Sequence, residues 1–158
     1  MFAKQVERGK KMAESYIFFK QSLEKTMKTY KDIYDKLLEN ECVIEPMDDD
    51  SFMCNNMNFY EISDTWCVGD NIEGNTYAIE RLLELAGNEE IIYLYFDEDT
   101  LEGELVVIKE RKIVRKLYDY YFTPELNENV GKLEYEETRE LNNWINIASY
   151  SEYLFEYL

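Results

Sequence analysis

The side chains that could carry chemistry in this sequence are carboxylates, phenols and three thiols, because its 158 residues include no histidine. That removes Ser-His-Asp and Cys-His nucleophilic pairs, the His-Glu-x-x-His zinc site and the side chain most used for proton transfer near neutral pH. Carboxylate-only catalysis needs two acids set apart from the rest, and among 34 Asp and Glu residues no pair is distinguished by its spacing. Binding without catalysis is the favoured class of function, and an enzyme or small-ligand receptor with a pocket of tyrosines and carboxylates stays open beside it. Cys42, Cys54 and Cys67 are odd in number and form no Cys-x-x-Cys pair. This argues against a disulfide framework or structural zinc and for reduced, cytoplasmic thiols.

Three segments come near to ligand-binding motifs and fail at the residue that matters. Gly69-Asp70-Asn71-Ile72-Glu73-Gly74-Asn75-Thr76 has the glycine spacing of a phosphate loop, but Asn75 replaces the lysine, and Asp70 and Glu73 repel phosphate. A loop leading into a capped helix explains the same residues. Asp97-Glu98-Asp99 ahead of Gly103 begins like a calcium loop, yet Leu101 takes the third ligand position and Glu102 the required glycine. Asp48-Asp49-Asp50 reads as a solvated loop. No metal and no cofactor are expected.

Charge is distributed unevenly. Residues 1–40 hold nine basic and six acidic side chains (+3), leaving eight basic and 28 acidic ones (−20) for the rest of a chain whose net charge is −17. Such a field repels nucleic acid and anionic lipid and attracts basic proteins. It also serves solubility alone. Lys109, Arg111, Lys112, Arg115 and Lys116 gather five of those eight basic residues. They read either as a nucleic-acid patch or as edge protection of a hairpin, and the surrounding acidity favours the second. The 14 tyrosines are mostly expected to cover a sheet, but Tyr118-Asp119-Tyr120-Tyr121 places three rings and an acid where a strand gives way to a loop. Rigid aromatics beside an acid have the composition of an interface hot spot.

The elements that must position these residues follow from periodicity. Apolar residues at Tyr16, Phe19, Leu23, Met27, Tyr30, Ile33/Tyr34 and Leu37 predict one long amphipathic helix from about Lys4 to Glu39, firm from Met12. A short strand at Cys42–Pro46, a loop and a hairpin of Met57–Ile62 with Thr65–Val68 come next. Asn75–Ala86 reads as a helix capped by Asn75 and ended by Gly87. Glu90–Phe96, Glu104–Lys109 and Lys112–Tyr118 read as an antiparallel meander with a tight turn at Glu110-Arg111. A turn-rich stretch, an extended Leu133–Glu136 and a helix over Leu141–Leu158 close the chain. The expectation is one α+β domain over residues 1–158: a long helix over 1–40 and an acidic body over 41–158. Its antiparallel or mixed sheet has five to six strands, with a long N-terminal, a central and a C-terminal helix. The basic opening Met1–Lys11 is not followed by an apolar run of signal-peptide length. The longest apolar run, Ile91–Phe96, is too short to span a bilayer.

The layout from Tyr60 to Tyr150 resembles that of small bacterial immunity proteins encoded beside polymorphic or contact-dependent toxins. The resemblance lies in Gly69 and Gly74 before a helix ending Leu85-Ala86, then Phe96-Asp97, Leu105-Val106-Val107 and Lys112-Ile113-Val114-Arg115. It continues through Asn129-Val130-Gly131-Lys132-Leu133-Glu134-Tyr135-Glu136 to Trp144. Glu110-Arg111-Lys112 stands where such sequences usually have Asn-Gly-Lys. The resemblance implies a cytoplasmic inhibitor that covers the active site of a toxin domain. The candidate contacts are Asp97, Glu98, Asp99, Asp119, Glu134 and Glu136 for charge, with Tyr120 and Tyr121 as anchors. A DNA mimic that occupies a nucleic-acid-binding protein, and a small-ligand-binding domain, are the alternative readings.

Overall fold

The computed structural model describes residues 13–158. These residues form one antiparallel sheet of nine strands with helices on both faces. The strands are β1 (Ala13–Phe19), β2 (Ile44–Pro46), β3 (Phe52–Cys54), β4 (Met57–Glu61), β5 (Cys67–Asn71), β6 (Ile91–Asp97), β7 (Glu102–Lys109), β8 (Lys112–Tyr120) and β9 (Glu128–Gly131). Their spatial order is β2-β3-β4-β5-β1-β6-β7-β8-β9. The helices are α1 (Leu23–Leu38), α2 (Ile79–Ala86) and α3 (Trp144–Tyr157).

The α+β class and the antiparallel sheet agree with the sequence reading, but the strand count does not: nine replace the five to six expected. The long helix is the main correction. Its portion over residues 4–12 lies outside the described residues, and Ala13–Phe19 is the central strand, paired with β5 on one side and β6 on the other. Ser15 through Phe19 are all buried, Ile17 and Phe19 in one core and Tyr16 and Phe18 in the other. A strand covered on both faces shows no alternation, so its apolar residues can be counted into a helical period by accident. The helix begins only after Ser22, whose Oγ accepts from Lys25 N at 3.2 Å. From there the stripe packs as expected as far as Tyr34, with Leu23, Met27, Tyr30, Ile33 and Tyr34 against the sheet together with α2, whereas Leu37, counted in the stripe, is exposed.

Further differences have local causes. Helix α2 starts at Ile79, with Ala78 as an N-cap lacking a side-chain bond, because Tyr77 is instead drawn into the core, where its N–H donates to Tyr93 Oη at 3.2 Å. Residues 74–78 form no regular structure, so the helix does not follow directly on Gly74 as in a phosphate loop. Phe52–Cys54 forms a strand where none was expected, paired with both β2 and β4. Glu128–Gly131 is a strand rather than a turn, and Glu134–Glu137 is a 3₁₀ turn rather than an extended segment. Leu141 precedes α3, which starts at Trp144 after an Asn143 cap. The meander β6-β7-β8 agrees with expectation, and its tight turn carries Glu110 and Arg111 at φ 50° and 66°. Among the described residues no helix is long and apolar enough to cross a membrane.

The N-terminus of α3 rests directly on β7 at Gly103. A Cβ there would stand 2.8 Å from Trp144 Cα and 2.9 Å from Ile147 Cδ1. Gly103→Ala is expected to lift α3 off the sheet and cost about 1–3 kcal/mol. Urea denaturation measures this, and an unchanged midpoint would show that the helix is free to shift.

Candidate partner-binding surface

Interior groups determine which residues are left for an interface. Arg115, on β8, is 1% exposed beneath the segment that joins β9 to α3. Its guanidinium takes Glu136 in a fork, Nε to Oε1 at 2.6 Å and Nη2 to Oε2 at 3.3 Å. It also donates to the carbonyls of Lys116 at 3.2 Å, Val130 at 3.0 Å and Leu141 at 2.8 Å. These five bonds engage all the donors a guanidinium has. Arg115 is therefore buried rather than part of a surface basic patch, and the Glu136 carboxylate, expected as a contact charge, is engaged internally: it neutralises a buried charge and accepts from Leu133 N at 3.0 Å.

On the opposite face of the sheet, Glu104 is 8% exposed among tyrosines. Tyr93 Oη donates to its Oε1 at 2.9 Å, and Tyr120 Oη donates to its Oε2. Burial outweighs these two donors and holds the Glu104 carboxyl above the ordinary glutamate value of 4.5. The phenols are pushed the same way. Burial, then the nearby Glu104 charge, raises Tyr118 to about 12, and burial with Glu104 raises Tyr93 and Tyr120. Tyr120, expected as an anchor, is half-buried with its hydroxyl committed to Glu104 and its backbone N–H donating to Asn127 Oδ1 at 2.6 Å.

Two more of the expected charges are fastened to backbone. Asp97 Oδ1 accepts from Asp99 N at 2.9 Å and Thr100 N at 3.4 Å, shaping the β6–β7 turn. Asp119 Oδ2 accepts from Trp144 N at 2.8 Å, an anion placed at a helix N-terminus. The remaining candidates, Glu98, Asp99, Tyr121 and Glu134, are exposed.

Glu98, Asp99 and Tyr121 lie at one end of the sheet, because Asp97 pairs with Glu102 and Glu102 with Tyr120. Glu134 lies elsewhere, in the 3₁₀ turn beside Arg115. The sheet end also carries a residue that sequence reasoning missed: Phe122 is 70% exposed, against 65% for Tyr121, and the two rings meet edge to face at 5.0 Å. Leu126, in the following turn, is exposed as well. The signal was available in the run Tyr120-Tyr121-Phe122 ahead of Pro124, where alternation stops and nothing remains to cover the rings. Among the described residues no group of His, Cys, Asp or Glu is arranged to hold a metal ion. Comparison with protein-family models, curated proteins and solved structures finds no match to the chain.

Two outcomes check which groups are internal. Glu136→Ala leaves a buried guanidinium without its counter-ion and is expected to cost about 3–5 kcal/mol in chemical denaturation. For Glu104 the folded-state pKa lies above the unfolded one, so its contribution to stability is full below about pH 4.5 and is lost as pH rises through the folded pKa. The stability of wild type relative to Glu104→Gln should therefore decline as pH rises above the ordinary glutamate value of 4.5. A flat difference would mean that the carboxyl is not desolvated.

Proposed function

We propose that the chain is a non-catalytic, protein-binding inhibitor, an immunity protein whose partner is a basic toxin domain, covered at its active site in the cytoplasm. The observation that carries this reading is the exposed ring pair Tyr121–Phe122 at the acidic end of the sheet, in a chain of net charge −17. A large aromatic pair left in water is unfavourable unless something covers it, and Tyr and Phe are enriched where protein partners do so. Glu98 and Asp99 lie at the same end of the sheet as the pair, and Glu125 lies in the turn that follows it. The division of labour is then physical: the field raises the association rate, while the desolvated rings set the dissociation rate. A nuclease toxin is the natural target, because an acidic surface can occupy a groove built for phosphates. The free thiols at Cys42, Cys54 and Cys67 accord with a reducing compartment.

The test pairs the full chain with the toxin domain encoded next to it, by surface plasmon resonance. Tyr121→Ala and Phe122→Ala should each weaken binding by about 2 kcal/mol or more, mainly through faster dissociation, while thermal stability stays within about 0.5 kcal/mol. Raising the salt should slow association of the wild type. Unchanged affinity in both variants would remove the ring pair from the interface, and a salt-insensitive association rate would remove the steering.

A further inference from the structure

The face of the sheet that carries α3 holds a second feature, a cleft of about 440 Å³ between the 3₁₀ turn and the C-terminal half of the helix. Its walls include Trp66, Tyr135, Tyr150 and Tyr153, and its rim includes Glu134 and Glu137. The three phenol rings cluster, with Tyr135 centred 4.5 Å from Tyr150 and 4.8 Å from Tyr153. The guanidinium of Arg139 lies 5.1 Å from the ring centroids of both Tyr135 and Tyr153. Its hydrogen bond runs to Thr138 Oγ1 at 3.4 Å, and among the described residues no carboxylate pairs with it.

A cation over two ring faces, in a cleft far larger than it needs, shows what the rings accept. The ring quadrupoles attract positive charge, guanidinium most readily because it is planar and weakly hydrated. The charged lining favours the same ligand. Glu90 is occupied by Lys109 at 3.9 Å, whereas Glu134 and Glu137 are exposed and have no basic partner among the described residues. Arg139 is itself exposed and sits in the loop ahead of α3, outside any helix or strand, so it can leave the rings without disturbing the sheet.

We propose that this cleft receives an arginine side chain of a basic protein. Tyr135 and Tyr153 take the guanidinium face, Glu134 and Glu137 supply the countercharge, and Arg139 is a resident competitor that the incoming arginine displaces. This deepens the reading of a basic partner by assigning it a second contact, away from the Tyr121–Phe122 end, and it can be tested without that partner.

The probe is N-acetyl-arginine amide, added to the isolated full chain and followed by the ring-proton NMR shifts of Tyr135, Tyr153 and Trp66. N-acetyl-citrulline amide, of the same shape but uncharged, should bind about tenfold more weakly. Arg139→Ala should tighten arginine binding about two- to fivefold by removing the competitor, and Tyr153→Leu should weaken it by a similar factor while Tyr153→Phe keeps it. The proposal is overturned by equal shifts with citrulline, by the absence of a response in both wild type and Arg139→Ala, or by preferential binding of N-acetyl-aspartate amide that disappears in Arg139→Ala. Arg139 is exposed, so its variant does not depend on tolerance of the core. A negative result here leaves the Tyr121–Phe122 surface standing, and loss of partner binding in Tyr121→Ala leaves the cleft standing.

Discussion

The run Ser15-Tyr16-Ile17-Phe18-Phe19 has no side that water can reach, and the rest of the structure is arranged to keep it so. Placed between β5 and β6, this strand joins two sets of antiparallel strands, β2 to β5 on one flank and β6 to β9 on the other. Each flank follows the chain locally, strand beside next strand, but the join brings Phe19 against Cys67 and Ile91 across long stretches of sequence. A strand buried on both faces also requires two layers of cover. Helices α1 and α2 supply one and α3 the other, so the three helices and both cores follow from one segment's lack of polarity.

Covering a sheet that is nine strands wide with so few helical residues leaves gaps, and polar residues close them. Beside α3, the connection between β9 and the helix holds one 3₁₀ turn, and the buried Arg115 guanidinium donates to backbone carbonyls at its two ends, Val130 in β9 and Leu141 ahead of the helix. On the other face, beyond α2, Glu104 and its tyrosines occupy the space an aliphatic core would fill. Both arrangements place ionisable groups where desolvation is expensive, and both are tolerable because partners are present at hydrogen-bonding distance. They make the edge of the sheet more specific in its geometry than apolar packing would, since a fork and a pair of phenol donors accept little displacement.

This explains what could be read from the residues and what could not. The meander from Ile91 to Tyr120 was legible because its apolar segments are short and are set off by turns after Asp97 and at Glu110-Arg111. Gly87 was legible because its N–H closes α2 on Leu83 O at 3.1 Å. Strand β1 was not, since an apolar run buried on both sides has no period of its own, and its neighbours Leu23 and Met27 lent it a helical one. Strand β9 was not legible because Glu128-Asn129-Val130-Gly131 has the composition of a turn, and it is a strand only by virtue of its pairing with β8. At the surface the difficulty was of another kind. Composition identifies a carboxylate as available for a partner, but not whether a backbone N–H within the same molecule will claim it first, as happens at Asp97 and Asp119.

The same competition gives the surface its character. Several basic side chains are already matched, Lys31 with Asp35 at 2.7 Å, Lys116 with Glu128 at 2.8 Å and Arg81 with Glu84 at 2.7 Å. Pairing of this kind is local and weak, and it does not alter the net charge, so the excess of acids continues to act at a distance. A field of that sort has no orientation finer than the Debye length and cannot by itself choose one way of docking. On the proposed reading, selection falls to short-range features with shape: rings in water at one end of the sheet, and rings around a guanidinium on the α3 face. An acidic protein that relied on charge alone would bind basic surfaces indiscriminately, and it is the placement of a few uncovered aromatic faces that can turn attraction into recognition.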